Sequence, residues 1–244
     1  MKSESLFNDR TDAGSALAGQ LRSHAEKSSL VLGIPRGGVE VGYRVAKDLD
    51  LQFSIIMVRK LPFPDNPEAG FGAIAEDGSV YMHPLAGVPK STADGVAREQ
   101  RAEVSRRISA LRQGRSLPDL KDRHVILVDD GIAMGSTTQA ALMCCRGNKA
   151  ARVTVAAPVA SPDARAALEE TADDVVVVLK PSFFRAVADY YRHWYDVPDA
   201  EVIDIMSEAD SAGLLAKPGE DEAPRRAGRL GRDLGPGAGA CIRS

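Results

Sequence analysis

A chain of 244 residues, 44% of them hydrophobic, can bury the core of one large domain, and its net charge of −3 gives no basic field for a nucleic-acid partner. No apolar run approaches the roughly 20 residues a membrane helix needs, and the start, MKSESLFNDR, has no apolar signal core. The three cysteines, with Cys144 and Cys145 adjacent, make no disulfide framework, so the expectation is a cytoplasmic protein with no membrane and no nucleic-acid partner.

In chain order, the apolar run at 30–32 predicts a short strand, a loop over 33–38 and a helix over 39–49, with Val39, Tyr43, Ala46 and Leu49 near one face. The run at 53–58 predicts a second strand, directly followed by Arg59 and Lys60. Segment 61–123 is long and polar. Within it, 71–75 and 79–82 read as a hairpin turning at Glu76-Asp77-Gly78. A helix follows over about 92–112, with Val104, Ile108 and Leu111 at helical spacing. An insertion of this length in a compact domain is expected to be a lid or functional loop.

The run at 125–128 predicts a third strand, leading through a small-residue loop into a helix near 137–146. A strand at 153–159, a helix at 162–171 and a strand at 175–179 follow. Short β-branched runs alternating with helices imply an α/β fold, a mostly parallel twisted sheet with flanking helices. The expected organisation is one domain over 1–215, carrying 61–123 as its insertion, then a disordered tail over 216–244, which is rich in Gly, Pro and Arg.

The densest chemistry lies in VILVDDGIAMGSTTQAAL, residues 125–142. Asp129 and Asp130 stand at the carboxyl end of the predicted strand, where open α/β sheets bind their ligands. Gly131, Ile132, Ala133, Met134, Gly135 and Ser136 form the loop, and Thr137 and Thr138 begin the helix. Glycines let the backbone approach an anion closely, and the helix start offers unpaired N–H groups and a partial positive charge. One such helix end contributes only about 0.3–1 kcal/mol when exposed, so several amides and hydroxyls must converge on the anion. Carboxylates repel a phosphate but accept hydrogen bonds from a diol. A ligand with a diol near its phosphate is a ribose 5-phosphate.

This stretch resembles the signature of type I phosphoribosyltransferases, which bind 5-phosphoribosyl 1-diphosphate (PRPP): apolar strand, two acidic residues, then a loop rich in Gly, Ser and Thr. It is not a Walker A loop, since no Lys follows Gly135. FNDRTDAGSALA, VRKLPFPDNPEAGFGAIAEDG and FFRAVADYYRHW extend the resemblance to a bacterial and archaeal subgroup of the family. The resemblance implies a hood over the nucleobase and a pyrophosphate loop at Pro35, Arg36, Gly37 and Gly38, a family loop that often has a strained or cis peptide. Arg36, with Arg59 or Lys60, is then the candidate cationic partner of the leaving group, and these three are the candidates for a catalytic role.

The same resemblance implies Mg²⁺, bound mainly through PRPP with Asp129 and Asp130 as its protein contacts, and a small nitrogenous acceptor. Enzymes of the 6-oxopurine class carry a further carboxylate where this chain has Ala133, so a hypoxanthine or guanine acceptor is disfavoured.

Six aromatics crowd 183–195. Phe183 and Phe184 are candidates for a base pocket, and the cluster can equally pack the hood or cover a homodimer face. Arg98, Arg101, Arg106, Arg107, Arg112 and Arg115 on or near the insertion helix read first as a solvated face and second as a lid over a diphosphate. Two other readings stay open: a non-catalytic PRPP sensor on the same fold, and a phosphatase or nucleotide-sugar enzyme sharing only the strand–Gly-loop–helix.

Overall fold

The computed structural model describes residues 6–84 and 86–218. Its five-stranded parallel sheet runs in the order β2-β1-β6-β7-β8. These strands are β1 (Leu30–Gly33), β2 (Gln52–Ile55), β6 (His124–Val128), β7 (Arg152–Val159) and β8 (Asp174–Leu179). β1 and β6 are buried along their whole length, as strands covered by helices on both faces must be. The covering helices are α1 (Arg10–Leu21), α2 (Gly37–Leu49), α4 (Ser136–Gly147), α5 (Pro162–Glu169) and α6 (Asp199–Ser211).

The strand order places the site. β1 crosses through α2 to β2 on one side, whereas β6 crosses through α4 to β7 on the other. β1 and β6 are paired neighbours with Gly33 opposite Val128, so the loops leaving them diverge from adjacent strand ends. A crevice opens outside the carboxyl ends at such a reversal.

The insertion forms a second sheet, antiparallel β3-β4-β5, built from β3 (Val58–Phe63), β4 (Asn66–Ala75) and β5 (Val80–Met82), followed by α3 (Lys90–Leu111). The β4–β5 turn falls at Glu76-Asp77-Gly78 as the residues predict, with Gly78 at φ 92° and Ala75 N–H donating to Ser79 O at 2.8 Å. The β4 strand packs on α4 and β3 on α3, so the insertion leans over the helix that starts at the small-residue loop.

One buried ion pair fastens it. Arg112 donates through Nη1 to Ile55 O at 3.0 Å and to Glu76 Oε1 at 2.9 Å, with Nη2 also on Glu76, and the Met57 N–H donates to Glu76 Oε1 at 2.9 Å.

The structure corrects three expectations of position. The run at 53–58 is not one strand: the chain leaves the parallel sheet after Ile55 and restarts as β3 at Val58, because the Met57 amide turns to Glu76. Arg59 and Lys60 therefore lie inside an antiparallel strand, not at the carboxyl end of a parallel one. Ala216, the first residue of the expected tail, is buried and its N–H donates to Phe53 O at 2.8 Å. Residues 219–244 of that tail lie outside the described residues.

Candidate active site

Gly135 ends the loop after β6 at φ 77°, which glycine adopts without strain, and caps α4. No side chain caps the first turn of α4, so its amides stay available. The loop itself is anchored: Ile132 N–H donates to Val159 O at 2.9 Å, Ser161 N–H to Ile132 O at 2.8 Å, and Ser161 Oγ to Ala133 O at 2.6 Å. Ser136 Oγ and Thr138 Oγ1 are buried and have no hydrogen-bond partner. Buried hydroxyls are almost always satisfied, so two orphans in one helical turn indicate a missing acceptor.

A cavity of about 290 Å³ opens along this loop. Gly131 to Thr137 form one wall, and Lys60, Ala69, Gly70 and Gly72 of the insertion form the other, with Asp129 at its edge. Met134 is exposed at the rim.

The two glycine-bearing loops meet at the acidic pair. A Cβ on Gly37 would overlap the Asp130 carboxylate, and one on Gly38 would come within 2.8 Å of Asp129 Cα. Only glycine permits this approach. The Pro35–Arg36 peptide is cis. Burial, then the neighbouring Asp130, pushes the Asp129 carboxyl well above the usual range. Burial also raises Asp130, against which Arg10 works.

Arg10 was not singled out from the sequence. Its Nε donates to Asp130 Oδ2 at 2.8 Å and its Nη2 to Tyr195 O at 3.1 Å, while its guanidinium lies 4.1 Å from the Trp194 ring centroid. Tyr191 OH donates to Asp130 O at 2.6 Å. The N-terminal segment and the aromatic cluster thus converge on one aspartate. Contacts across 120 and 185 residues leave no trace in local spacing. The nearest signal was the cap of α1, where the Asp12 N–H donates to the Asp9 carboxylate at 2.8 Å.

The cationic candidates separate. Arg36 Nη1 lies 3.4 Å from Asp199 Oδ1 at the start of α6. Arg59 donates to Gln100 Oε1 of α3 at 3.3 Å. Burial, then the guanidinium of Arg107, holds Arg59 below its usual range, with Arg106 and Arg36 adding to the effect. Arg36, Arg59, Arg106 and Arg107 therefore form one basic group, tempered by Glu103 and Asp199. Lys60 faces instead into the cavity along the small-residue loop.

Phe183 is 79% exposed and Phe184 stacks on Tyr190, with centroids 5.6 Å apart. Neither lines the cavity, whereas Val187 packs directly against Gly131. Cys144 and Cys145 are buried in α4, and burial pushes both thiols upward, away from reactivity.

The comparisons with known proteins agree with this geometry. A family model described as the phosphoribosyl transferase domain matches residues 4–193. The chain belongs to the phosphoribosyl transferase family. Two Mycobacterium tuberculosis proteins provisionally named phosphoribosyl transferases, MT0597 and Rv0571c, are each 40% identical over 208 residues, covering 84% of this chain and 47% of theirs. The chain thus spans about half the length of these relatives. The crystal structure of TT1426 from Thermus thermophilus is 38% identical with a TM-score of 0.72, covering 83% of this chain and 98% of that one. The parallel sheet with flanking helices is the type I fold of the family.

Proposed function

We propose that this phosphoribosyl transferase binds PRPP and passes its phosphoribosyl group to a nitrogenous base, releasing pyrophosphate. The observation that carries the reading is the convergence of Asp129, Ser136 and the uncapped start of α4 on one cavity, with Ser136 Oγ buried and without a hydrogen-bond partner. The loop amides and hydroxyls take the 5-phosphate, Asp129 at the strand end accepts from the ribose hydroxyls, and Lys60 adds a cation beside the loop. Arg36 and Arg59, backed by Arg107, receive the diphosphate, where guanidiniums bind oxygens in pairs.

In the reaction the anomeric C–O bond breaks, and pyrophosphate leaves with the electron pair. The acceptor nitrogen then bonds to the anomeric carbon and gives up its proton. The chain's contribution is positioning and stabilisation of the leaving charge. Mg²⁺ would neutralise diphosphate oxygens. Among the described residues no group of three or more His, Cys, Asp or Glu forms a cage. Asp129, the carboxyl lining the cavity, would be the ion's protein contact, with substrate oxygens and water in the remaining positions. Ala133 offers no carboxylate, and its carbonyl already accepts from Ser161, so the acceptor is a base that needs no proton relay at that point.

Calorimetric titration with PRPP and Mg²⁺, followed by pyrophosphate release across a panel of nitrogenous bases, tests the reading. Binding with turnover of one base is expected. Binding without any turnover would make the protein a PRPP sensor, and absence of binding would remove the assignment.

A further inference from the structure

We propose that the acidic pair is divided: Asp129 alone meets the ligand, and Asp130 is a positioning residue whose charge is committed to Arg10. The inference rests on the PRPP reading above and sharpens it at the ribose.

The two carboxyls adjoin, and Asp129 Oδ1 accepts from the Asp130 N–H at 2.9 Å, but their further partners differ. Asp129 lines the cavity, and Asp130 does not. The Asp130 carboxylate points to Arg10, which is 3% exposed, with Nε–Oδ2 at 2.8 Å. The Arg10 guanidinium is itself fixed, by the Tyr195 carbonyl at 3.1 Å and by the Trp194 face at 4.1 Å. Turning Asp130 toward a ribose hydroxyl would strand a buried guanidinium between aromatic rings, and an unpaired buried charge is strongly unfavourable. Gly37 lies against the pair, so the carboxylate has little room to swing.

The pair reaches the anion loop through the backbone. Tyr191 OH holds the Asp130 carbonyl at 2.6 Å. That carbonyl shares a planar peptide with the Gly131 N–H, so fixing one aims the other. The Gly131 amide opens the loop that lines the cavity. The N-terminal segment is bound to the same aromatic cluster, Phe7 N–H to Tyr190 O and Arg192 N–H to Phe7 O, each at 2.9 Å. Arg10, Tyr191 and Trp194 thus form a clamp that sets the first amide of the phosphate loop through the backbone of Asp130.

A mutant cycle read by calorimetry with PRPP and Mg²⁺, and by thermal midpoint, separates the roles. Arg10→Met should weaken PRPP binding by about tenfold or more and lower the midpoint, because it leaves Asp130 buried and unpaired. Adding Asp130→Asn to Arg10→Met should recover most of both losses, since the stranded charge is gone. If Asp130 accepts from the ribose, the double variant binds PRPP worse than Arg10→Met alone, which overturns the division.

Single near-isosteric variants keep the test decisive should Arg10→Met fail to fold. Asp129→Asn should lose PRPP affinity with its midpoint preserved, and Asp130→Asn should lower the midpoint. A preserved midpoint in Asp130→Asn with affinity lost as in Asp129→Asn would also overturn the inference. Wild-type protein that fails to bind PRPP would remove the functional reading, while the midpoints would still report whether Arg10 and Asp130 are paired.

Discussion

The parallel sheet and the insertion share one apolar core but differ in how much of each is buried in it. In the sheet, β1, β6 and β7 are almost wholly apolar and buried, and their loops emerge in register from Gly33 and Val128. The insertion's hairpin buries Leu61, Phe71 and Ile74 in the same core, but its long helix buries only Val104 and Leu111, and the buried Arg112–Glu76 ion pair ties the helix end to the hairpin turn. The sheet positions the acidic pair and the small-residue loop. The insertion brings Arg59 and Lys60 to opposite flanks of that site, through the alternation of side chains along β3. An apolar sheet thus sets one wall of the cavity, and the second wall rests on the hairpin's buried residues together with the Arg112–Glu76 pair.

The sharpest way to break that contrast is at the buried ion pair. Arg112→Met leaves Glu76 buried without its partner, and should lower stability by about 3–5 kcal/mol in urea denaturation. Hydrogen exchange should quicken first in β3–β5 and α3 and last in β6 and β7. Equal loss of protection in both regions would show the insertion to be as integral as the sheet.

On the sheet side, Gly37→Ala places a methyl on the Asp130 carboxylate. PRPP affinity should fall by about a hundredfold, the scale of a misplaced site, while the insertion keeps its protection. Affinity within error of wild type would mean that the two loops are not coupled.

A smaller effect separates binding from stability at the anion loop. Thr138→Val removes a buried hydroxyl that has no partner. Thermal stability should hold or rise by about 1 kcal/mol, while stabilisation of the protein by inorganic phosphate should shrink. A drop in stability would mean that the hydroxyl already has a partner.

The smallest effect is a pH dependence within the sheet. His124 bridges Ser29 Oγ at 2.9 Å and Thr154 Oγ1 at 2.8 Å, and burial holds it below its usual 6.5. The folded state therefore keeps His124 neutral to lower pH than the unfolded chain does. Its contribution is intact above about pH 6.5 and is lost as pH falls below it. His124→Gln should flatten the urea midpoint between about pH 7.5 and 5, a change of about 1 kcal/mol or less. An unchanged slope would clear His124 of this role.

The same contrast explains what the residues revealed beforehand. β1, β6, β7 and β8 were legible because buried parallel strands are short apolar runs, and the turn from β6 into α4 because its small residues are contiguous in the chain. The run at 53–58 misled because the break at Met57 depends on Glu76, nineteen residues away. The α1 helix went unpredicted because its buried face, Ala13, Gly14, Leu17, Ala18 and Leu21, is mostly small residues with little apolar contrast. The partnership of Arg10 with Asp130 and the division of Arg59 from Lys60 are tertiary facts, set by which elements pack together.

The proposed function requires one sugar phosphate to bridge a carboxylate and the small-residue loop in a single cavity. Calorimetric titration of PRPP with Mg²⁺ into wild type, Asp129→Asn and Ser136→Ala tests it most directly, with ribose 5-phosphate as competitor. Wild type should bind, ribose 5-phosphate should compete, and each variant should weaken PRPP by about tenfold, the scale of one charged or buried hydrogen bond. Wild-type binding unaltered by either substitution, or no binding at all, would contradict it.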